Sequence, residues 1–442
     1  MYNKRIGFLI SSQHLIPHGG IGQFAKSFIE TMNEHGIIVD IITDKKPADS
    51  EFVNSLSSII IYAGDPLRYT AHSNIFMYGD TFCYERMANF RDSIILALEK
   101  NLYDVFVCNT FESLQVASAM GLEDVIQIIG YTHLESQVFK HTKNPFLNNA
   151  NELMRQQLGT NGVYVGTQSK ANQLQFEQAW YLPIPISERS LLEEHHVERN
   201  GVLFMGRWEE GKNPKLFIDL IKQTNLPAKV MTSPNSAKKF EKELKNLGVD
   251  YEVRSSLVGK EKVDFIASSR IAFNPSTVES YGMAFHEQTA QLPTFALENQ
   301  RWLNNFNNKY FFTTNKHSMA KDILEAYQKF NTAQSYYDTG ALEHYRNLEN
   351  RVFHNWNSCF NEFVPKQSKN DTAKICLEST VKVSDFIRNL GRSVICIDDI
   401  KSILSNRHKF RVIYTQNDTY LTKDPNFVPS EDNDSAGLFE GL

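Results

Sequence analysis

Cysteine is scarce in this sequence and never paired. The 442 residues contain five. Cys83, Cys108, Cys359, Cys376 and Cys396 are odd in number and never in a Cys-x-x-Cys spacing. That excludes a disulfide scaffold and a thiolate zinc site and fits a reducing compartment. Long hydrophobic runs are missing too. No stretch approaches the ~20 apolar residues of a membrane helix, and the run from Ile6 to Ile10 is too short for the core of a signal peptide. The expectation is a soluble, cytoplasmic protein without a membrane partner. Charge of one sign does not dominate: 46 Lys plus Arg stand against 51 Asp plus Glu, a net charge of −5. This excludes a generally basic nucleic-acid coat protein and leaves room for a local basic groove. What the chain does have is apolar material, 41% against 22% charged, enough for two or three cored domains at roughly 150 residues each.

Short apolar runs alternate with amphipathic stretches. Residues 6–10 read as a buried strand. Ile21, Phe24, Phe28, Ile29 and Met32 share one helical face, Gly36 stops that helix, and residues 37–42 supply the next strand. Further strands are expected at 58–62, 105–109, 125–130 and 163–166. The alternation argues a parallel sheet covered by helices on both faces. It breaks at Leu182-Pro183-Ile184-Pro185-Ile186 and the polar residues 187–200, which read as an interdomain connection. It then restarts, with strands at 201–205, 228–232, 251–254, 271–274 and 294–297. Helices are expected at 212–223, 236–247, 260–268, 282–291 and 318–330, and one or two more across 341–363. The fold class is α/β: two doubly wound, Rossmann-like domains, residues 1–185 and 186–340, with a cleft between them.

The remainder differs in character. Residues 366–424 carry 11 Lys/Arg against 7 Asp/Glu. Two short helices (383–390, 397–405) and a hairpin (410–414, 420–422) suggest a basic winged-helix-like appendage or, equally, a dimerisation element. Residues 425–442, with four acids and no base, are expected to be disordered.

Four clusters carry chemistry. In His18-Gly19-Gly20-Ile21-Gly22, Gly20 and Gly22 could let backbone approach a ligand where a helix N-terminus offers free amides. The alternative is a tight strand-to-helix turn, and with Asp40 or Asp44 as a ribose-binding acid a nicotinamide cofactor stays open. In Gly206-Arg207-Trp208-Glu209-Glu210-Gly211-Lys212, Arg207 and Lys212 can converge on a diphosphate at a strand's C-terminal end. The alternative is a solvated loop with Arg207 paired to Glu209 or Glu210. In the segment from Asn274 to Glu287, Glu279 would sit before a helix and Glu287 within it. The amides of Tyr281, Gly282 and Met283 would meet phosphate while the carboxylates take sugar hydroxyls; the alternative is a cap and a surface acid. In Tyr131-Thr132-His133-Leu134-Glu135, His133 at a strand end could serve as donor or general base, or as a satisfied structural histidine.

Together, Gly20-Ile21-Gly22, Gly206-Arg207 with Lys212, and Glu279 with Glu287 resemble the retaining nucleotide-sugar glycosyltransferases of the GT-B fold. The similarity spans roughly residues 5–363. It implies Arg207 and Lys212 on the donor diphosphate, Glu287 on the nucleotide ribose and Glu279 on the donor sugar. It also implies that residues 341–365 form crossover helices packing back on the first domain. A narrower set, Gly19 to Phe24, Gly36 to Asp40, Tyr131-Thr132-His133 and Gly206-Arg207 with Lys212, resembles the T-even-type bacteriophage DNA glucosyltransferases. These act on 5-hydroxymethylcytosine in duplex DNA. Where those enzymes place an Asp after the equivalent His, this chain has Leu134 and then Glu135. The resemblance implies transfer of glucose, or a pentose such as arabinose, from a UDP-sugar, with retention, no metal and no permanently bound cofactor. His133, Glu135 and Glu279 would be the catalytic residues. It further implies protection of phage DNA from host nucleases, base flipping, a host-cell cytoplasmic location, and a monomer or loose dimer. A polysaccharide, lipid or protein acceptor is the alternative within the fold. A non-catalytic nucleic-acid-binding protein is the alternative outside it.

Overall fold

A computed structural model describes residues 4–16, most of 20–63 and 81–132, strands at 163–167 and 179–181, residues 182–362 apart from 280, and four short strands beyond 380. The first sheet has seven parallel strands: β1 (Arg5–Leu9), β2 (Ile38–Ile42), β3 (Ile59–Ile61), β4 (Val105–Cys108), β5 (Gln127–Thr132), β6 (Val163–Thr167) and β7 (Ala179–Tyr181). Their order is β3-β2-β1-β4-β5-β6-β7. The second has six: β8 (Val202–Met205), β9 (Ala228–Thr232), β10 (Tyr251–Ser255), β11 (Ile271–Asn274), β12 (Thr294–Leu297) and β13 (Phe312–Thr314), in the order β10-β9-β8-β11-β12-β13. Both orders reverse direction at their first strand, so each sheet grows outward from β1 or β8 on both sides. That is the doubly wound α/β architecture, and it leaves a crevice at the carboxyl ends of the strands.

The strands form where the sequence is continuously apolar. Every residue of β4, β8, β11 and β12 is buried, as parallel strands covered on both faces require. The connecting helices include α1 (Gly20–Glu34), α2 (Glu51–Asn54) and α3 (Thr81–Lys100) in the first domain. In the second they are α4 (Pro214–Thr224), α5 (Pro234–Leu247), α6 (Gly259–Ala267), α7 (Met283–Gln291), α8 (Met319–Lys329) and α9 (Ala333–Tyr337). Prolines at the first positions of α4 and α5 start those helices where no backbone donor is needed.

Where one or two helices were expected across 341–363, a single helix runs over the described residues, α10 (Ala341–Glu362). Ala341 and Leu342 lie in the core of the second domain. Val352, Trp356, Cys359 and Phe360 lie in that of the first. Trp356 packs edge-on against Phe28 at 4.7 Å and donates from Nε1 to the carbonyl of Pro183 at 3.2 Å. The helix therefore crosses back along the linker. Glu349, near its middle, accepts from the backbone N–H of Ile186 at 3.0 Å and from Arg189 at 2.7 Å. Burial raises the Glu349 carboxyl to about 7, against the lowering influence of Arg189 and the Ile186 amide. Arg189 also reaches Thr31 and Glu34 on α1.

Sequence reading misses β7 and β13, three-residue strands at sheet edges. The last residues pair as well. Residues 439–441 form β17 (Phe439–Gly441), which pairs with β15 (Arg411–Tyr414) in an antiparallel sheet with β14 (Val381–Lys382) and β16 (Thr419–Thr422). The hairpin is where it was expected; the two helices at 383–390 and 397–405 lie outside the described residues. Among the described residues no helix is long and apolar enough to cross a membrane.

Candidate active site

The crevice is marked by two helix N-termini. α1 follows β1 and α7 follows β11, so both begin at the carboxyl edge of their sheet. They meet across the domains: a Cβ placed on Gly20 would lie 3.9 Å from the sulfur of Met283. Helix N-termini carry unpaired amides and a partial positive charge, and two of them facing one space favour an anion there. Gly22 serves a different purpose. A Cβ on it would lie 2.5 Å from the His14 carbonyl oxygen and 2.6 Å from that of Ile16. Its lack of a side chain lets the loop after β1 fold over α1.

On the second domain, Lys212 closes the loop after β8 and its ammonium pairs with Glu279. The two side chains keep 24% and 12% exposure, so the pair lines the crevice without being sealed from it. The Glu279 loop is pinned to the Lys212 loop through Thr277 and Val278 N–H groups donating to the Gly211 carbonyl. Arg207 is exposed and pairs with Glu209 at 3.2 Å. The expected pair of unneutralised cations is thus corrected: each has a carboxylate partner, one in solvent and one half-buried.

Gly282 has φ +89° and stands against the Trp302 indole, where a Cβ would approach to 3.1 Å. Only glycine gives this turn into α7, and no side chain caps the helix. Tyr281 is fully buried, packed into the first domain's core, so only its backbone can serve a ligand. Glu287 lies buried on α7. Its Oε1 accepts from Lys262 of α6 at 2.8 Å and from the Ser187 hydroxyl. Lys262 in turn donates to Ser187 at 2.7 Å. All three hydrogen bonds leave Oε2 with no partner among the described residues. Next to it, burial pushes His286 down to about 3, with His344 a smaller cause, so that imidazole is neutral at pH 7.

Sequence reading missed Lys262 and Ser187. The signal for Lys262 was available: it shares a helical stripe with Phe265 and Ile266 at three and four residues' spacing, and a lysine on an apolar stripe needs a buried acid. Asp40 and Asp44, the acids of the nicotinamide alternative, are both buried; Asp40 Oδ2 accepts from Arg5 at 2.6 Å and Tyr103 at 2.8 Å, and Asp44 Oδ1 accepts from the Ser12 N–H at 2.7 Å. His133 and Glu135 lie outside the described residues; β5 ends one residue before His133. Among the described residues no group of three or more His, Cys, Asp and Glu could hold a metal.

No protein-family model matches the sequence, and no curated protein matches it either. The fold does match solved structures. Sucrose-phosphate synthase from Thermosynechococcus elongatus superposes with a TM-score of 0.60 at 13% identity, over 82% of this chain and 100% of that one. HepE from Anabaena, in complex with UDP and glucose, gives 0.56 at 15%, over 80% and 100%. A glycosyltransferase from Rickettsia africae gives 0.56 at 12%, over 82% and 99%. The chain has the GT-B fold, two parallel-sheet domains facing one crevice. Of the structures it is similar to, HepE is described with UDP and with UDP-glucose bound, and the Rickettsia protein as a glycosyltransferase.

Proposed function

We propose that this chain is a retaining glycosyltransferase that takes a sugar from a UDP-sugar without a metal. The observation that carries the reading is the facing pair of helix N-termini, Gly20 against Met283, with Lys212 and Glu279 on the same edge. HepE, of the same fold, is described with UDP and glucose bound. The donor diphosphate lies against the amides at Gly282 and Met283, with Lys212 and Arg207 turning from their carboxylate partners to the phosphates. Arg207 gives up little, since an exposed ion pair contributes about 0–1 kcal/mol. Lys212 releases Glu279 to the donor sugar as it goes. Glu287 offers Oε2 to the ribose hydroxyls while Lys262 and Ser187 hold Oε1. Tyr281, Gly20 and Gly22 shape the site through backbone only.

In the reaction the bond between the anomeric carbon and the diphosphate oxygen breaks, and its electron pair leaves on UDP. A bond forms from the acceptor hydroxyl oxygen to that carbon, and the hydroxyl proton passes to a base, the role given to His133 with Glu135. Fixed positive charge at the departing diphosphate lowers the barrier because it needs no reorganisation as negative charge develops. Closure of the two domains excludes water from the donor.

The acceptor in this reading is 5-hydroxymethylcytosine in duplex DNA, flipped from the stack to reach a buried anomeric carbon. The resemblance of the Gly19–Phe24 and Tyr131–His133 segments to phage DNA glucosyltransferases supports it, as does the excess of base in 366–424, which supplies phosphate contacts. Nucleoside mass spectrometry after incubation with hydroxymethylated duplex DNA and a panel of nucleotide sugars tests both halves. A hexose or pentose mass on the modified base only is the expected result. Slow hydrolysis of a donor with no addition to DNA would overturn the acceptor and keep the donor. If Lys212→Ala leaves UDP binding unchanged, the donor site is wrong.

A further inference from the structure

One sizeable cavity lies away from the donor residues. It encloses about 1120 Å³ and is bounded by the loop after β12, the end of β7 and the middle of α10. It therefore sits on the hinge side of the crevice, between the two chain crossings. None of Gly20, Arg207, Lys212, Glu279 or Glu287 lines it.

Its lining is chemically unusual. Among the described residues, six asparagines and one glutamine face it, and no aspartate or glutamate does. The side chains of Asn299, Asn304 and Asn308 make no hydrogen bond among the described residues, so they are unspent. A carboxamide both donates and accepts, as a sugar hydroxyl does, and a ring of them can bind several hydroxyls without fixing charge. Phe306 and Tyr181 contribute flat apolar surface of the kind that packs on the C–H face of a pyranose. With no carboxylate in the wall, nothing favours an ammonium or a metal ion. The charge present is positive: Arg351 lines the cavity without an ion pair among the described residues, and burial, then Arg351 and Lys309, disfavours the imidazolium of His344 in the same wall. An Arg fork free of acid is suited to a phosphate or carboxylate.

We propose that this cavity is a second ligand site, for a saccharide bearing an acidic substituent, with Asn304 and its neighbouring carboxamides on the hydroxyls and Arg351 on the acid. The site is independent of the donor reading, because it shares no residue with it. The test uses the full chain saturated with UDP, so that the donor site is filled, and titrates glucose 6-phosphate and glucose by calorimetry. Saturable binding of glucose 6-phosphate is expected, with glucose weaker by roughly tenfold, the effect of one charge-assisted contact. Arg351→Ala should remove that preference, and Asn304→Leu should weaken both sugars by about tenfold, with UDP affinity unchanged in both variants. A phosphorylated maltotriose that binds more tightly than glucose 6-phosphate assigns the site to the end of a glycan; the reverse order assigns it to a free sugar phosphate. The proposal is overturned if neither sugar binds, if both variants bind as wild type does, or if the variants weaken binding of a DNA oligonucleotide while the sugars fail to bind. If UDP itself fails to bind, the donor reading falls, and the sugar titration still decides this site.

Discussion

Replacing Lys262 by Met tests the buried cluster around Glu287. Methionine keeps the length and apolar stem of lysine and removes only the ammonium. Lys262 and Glu287 retain 7% and 5% side-chain exposure, so water cannot take over the lost partner. At 2.8 Å and an effective dielectric of about 20, the attraction between the charges is about 6 kcal/mol before desolvation. Desolvation offsets much of it in the intact pair, but once one partner is gone the other keeps its full penalty. Only the Ser187 hydroxyl remains on Oε1. Breaking a buried pair in this way costs about 3–5 kcal/mol, whereas replacing both partners is near neutral. For a domain of this size that is a fall in melting temperature of roughly 6–20 °C. Lys262→Met should show it by differential scanning calorimetry at pH 7, and Lys262→Met with Glu287→Gln should recover most of it. The coupling between the two sites should exceed about 2 kcal/mol. Independent addition of the two effects, or a loss below about 1 kcal/mol in Lys262→Met, would refute the account of a charge held by its partner.

Other consequences can be checked in the same way. Trp356→Ala removes the side chain that joins α10 to Phe28 and the Pro183 carbonyl and should destabilise the first domain by about 3–5 kcal/mol, read by denaturant titration. Glu349 is raised in the folded chain from an ordinary 4.5 to about 7. The folded state therefore holds more protons than the unfolded one between those values, and stability falls as pH rises through that window, by about 3 kcal/mol from this group. Glu349→Gln should flatten the fall between pH 5 and pH 8, and a pH-independent difference from wild type would contradict the assignment. Gly22→Ala should lower stability by about 1–3 kcal/mol because its Cβ meets backbone. Gly20→Ala, whose Cβ would make only an ordinary contact with the Met283 sulfur, should melt like wild type and, if the donor reading holds, lose turnover.

Much of this arrangement was legible in the chain. The strands at 228–232, 271–274 and 294–297 coincide with β9, β11 and β12 because each carries a short, mostly apolar run that the sheet buries, Lys229 being the exception. Ala179-Trp180-Tyr181 and Phe312-Thr313-Thr314 carried no such mark. Each borders a single neighbouring strand, is three residues long, and is recognised only by what it pairs with. The candidate site divides along the same line. Local chemistry pointed to Lys212, Glu279 and Gly282 through residue type and spacing. It did not show that Lys212 and Glu279 neutralise each other, nor that Ser187 of the linker and Lys262 of a neighbouring helix converge on Glu287. Such contacts join residues 67, 100 and 25 positions apart, and no local pattern records them. The bond from the Ser12 N–H to Asp44 is likewise long-range and left no mark in the sequence.

The linker and α10 are tied to each other as well as to both domains, through Glu349 on the Ile186 amide and Trp356 on the Pro183 carbonyl. The second domain thus leaves and rejoins the chain at one place. It is an insertion whose entrance and exit are stitched together, and the bodies on either side can swivel about that seam more easily than they can part. A segment with adjoining ends can also be exchanged whole. Replacing residues from the linker to the middle of α10 with the corresponding piece of another protein of this fold would change the second domain and leave the first in its original frame.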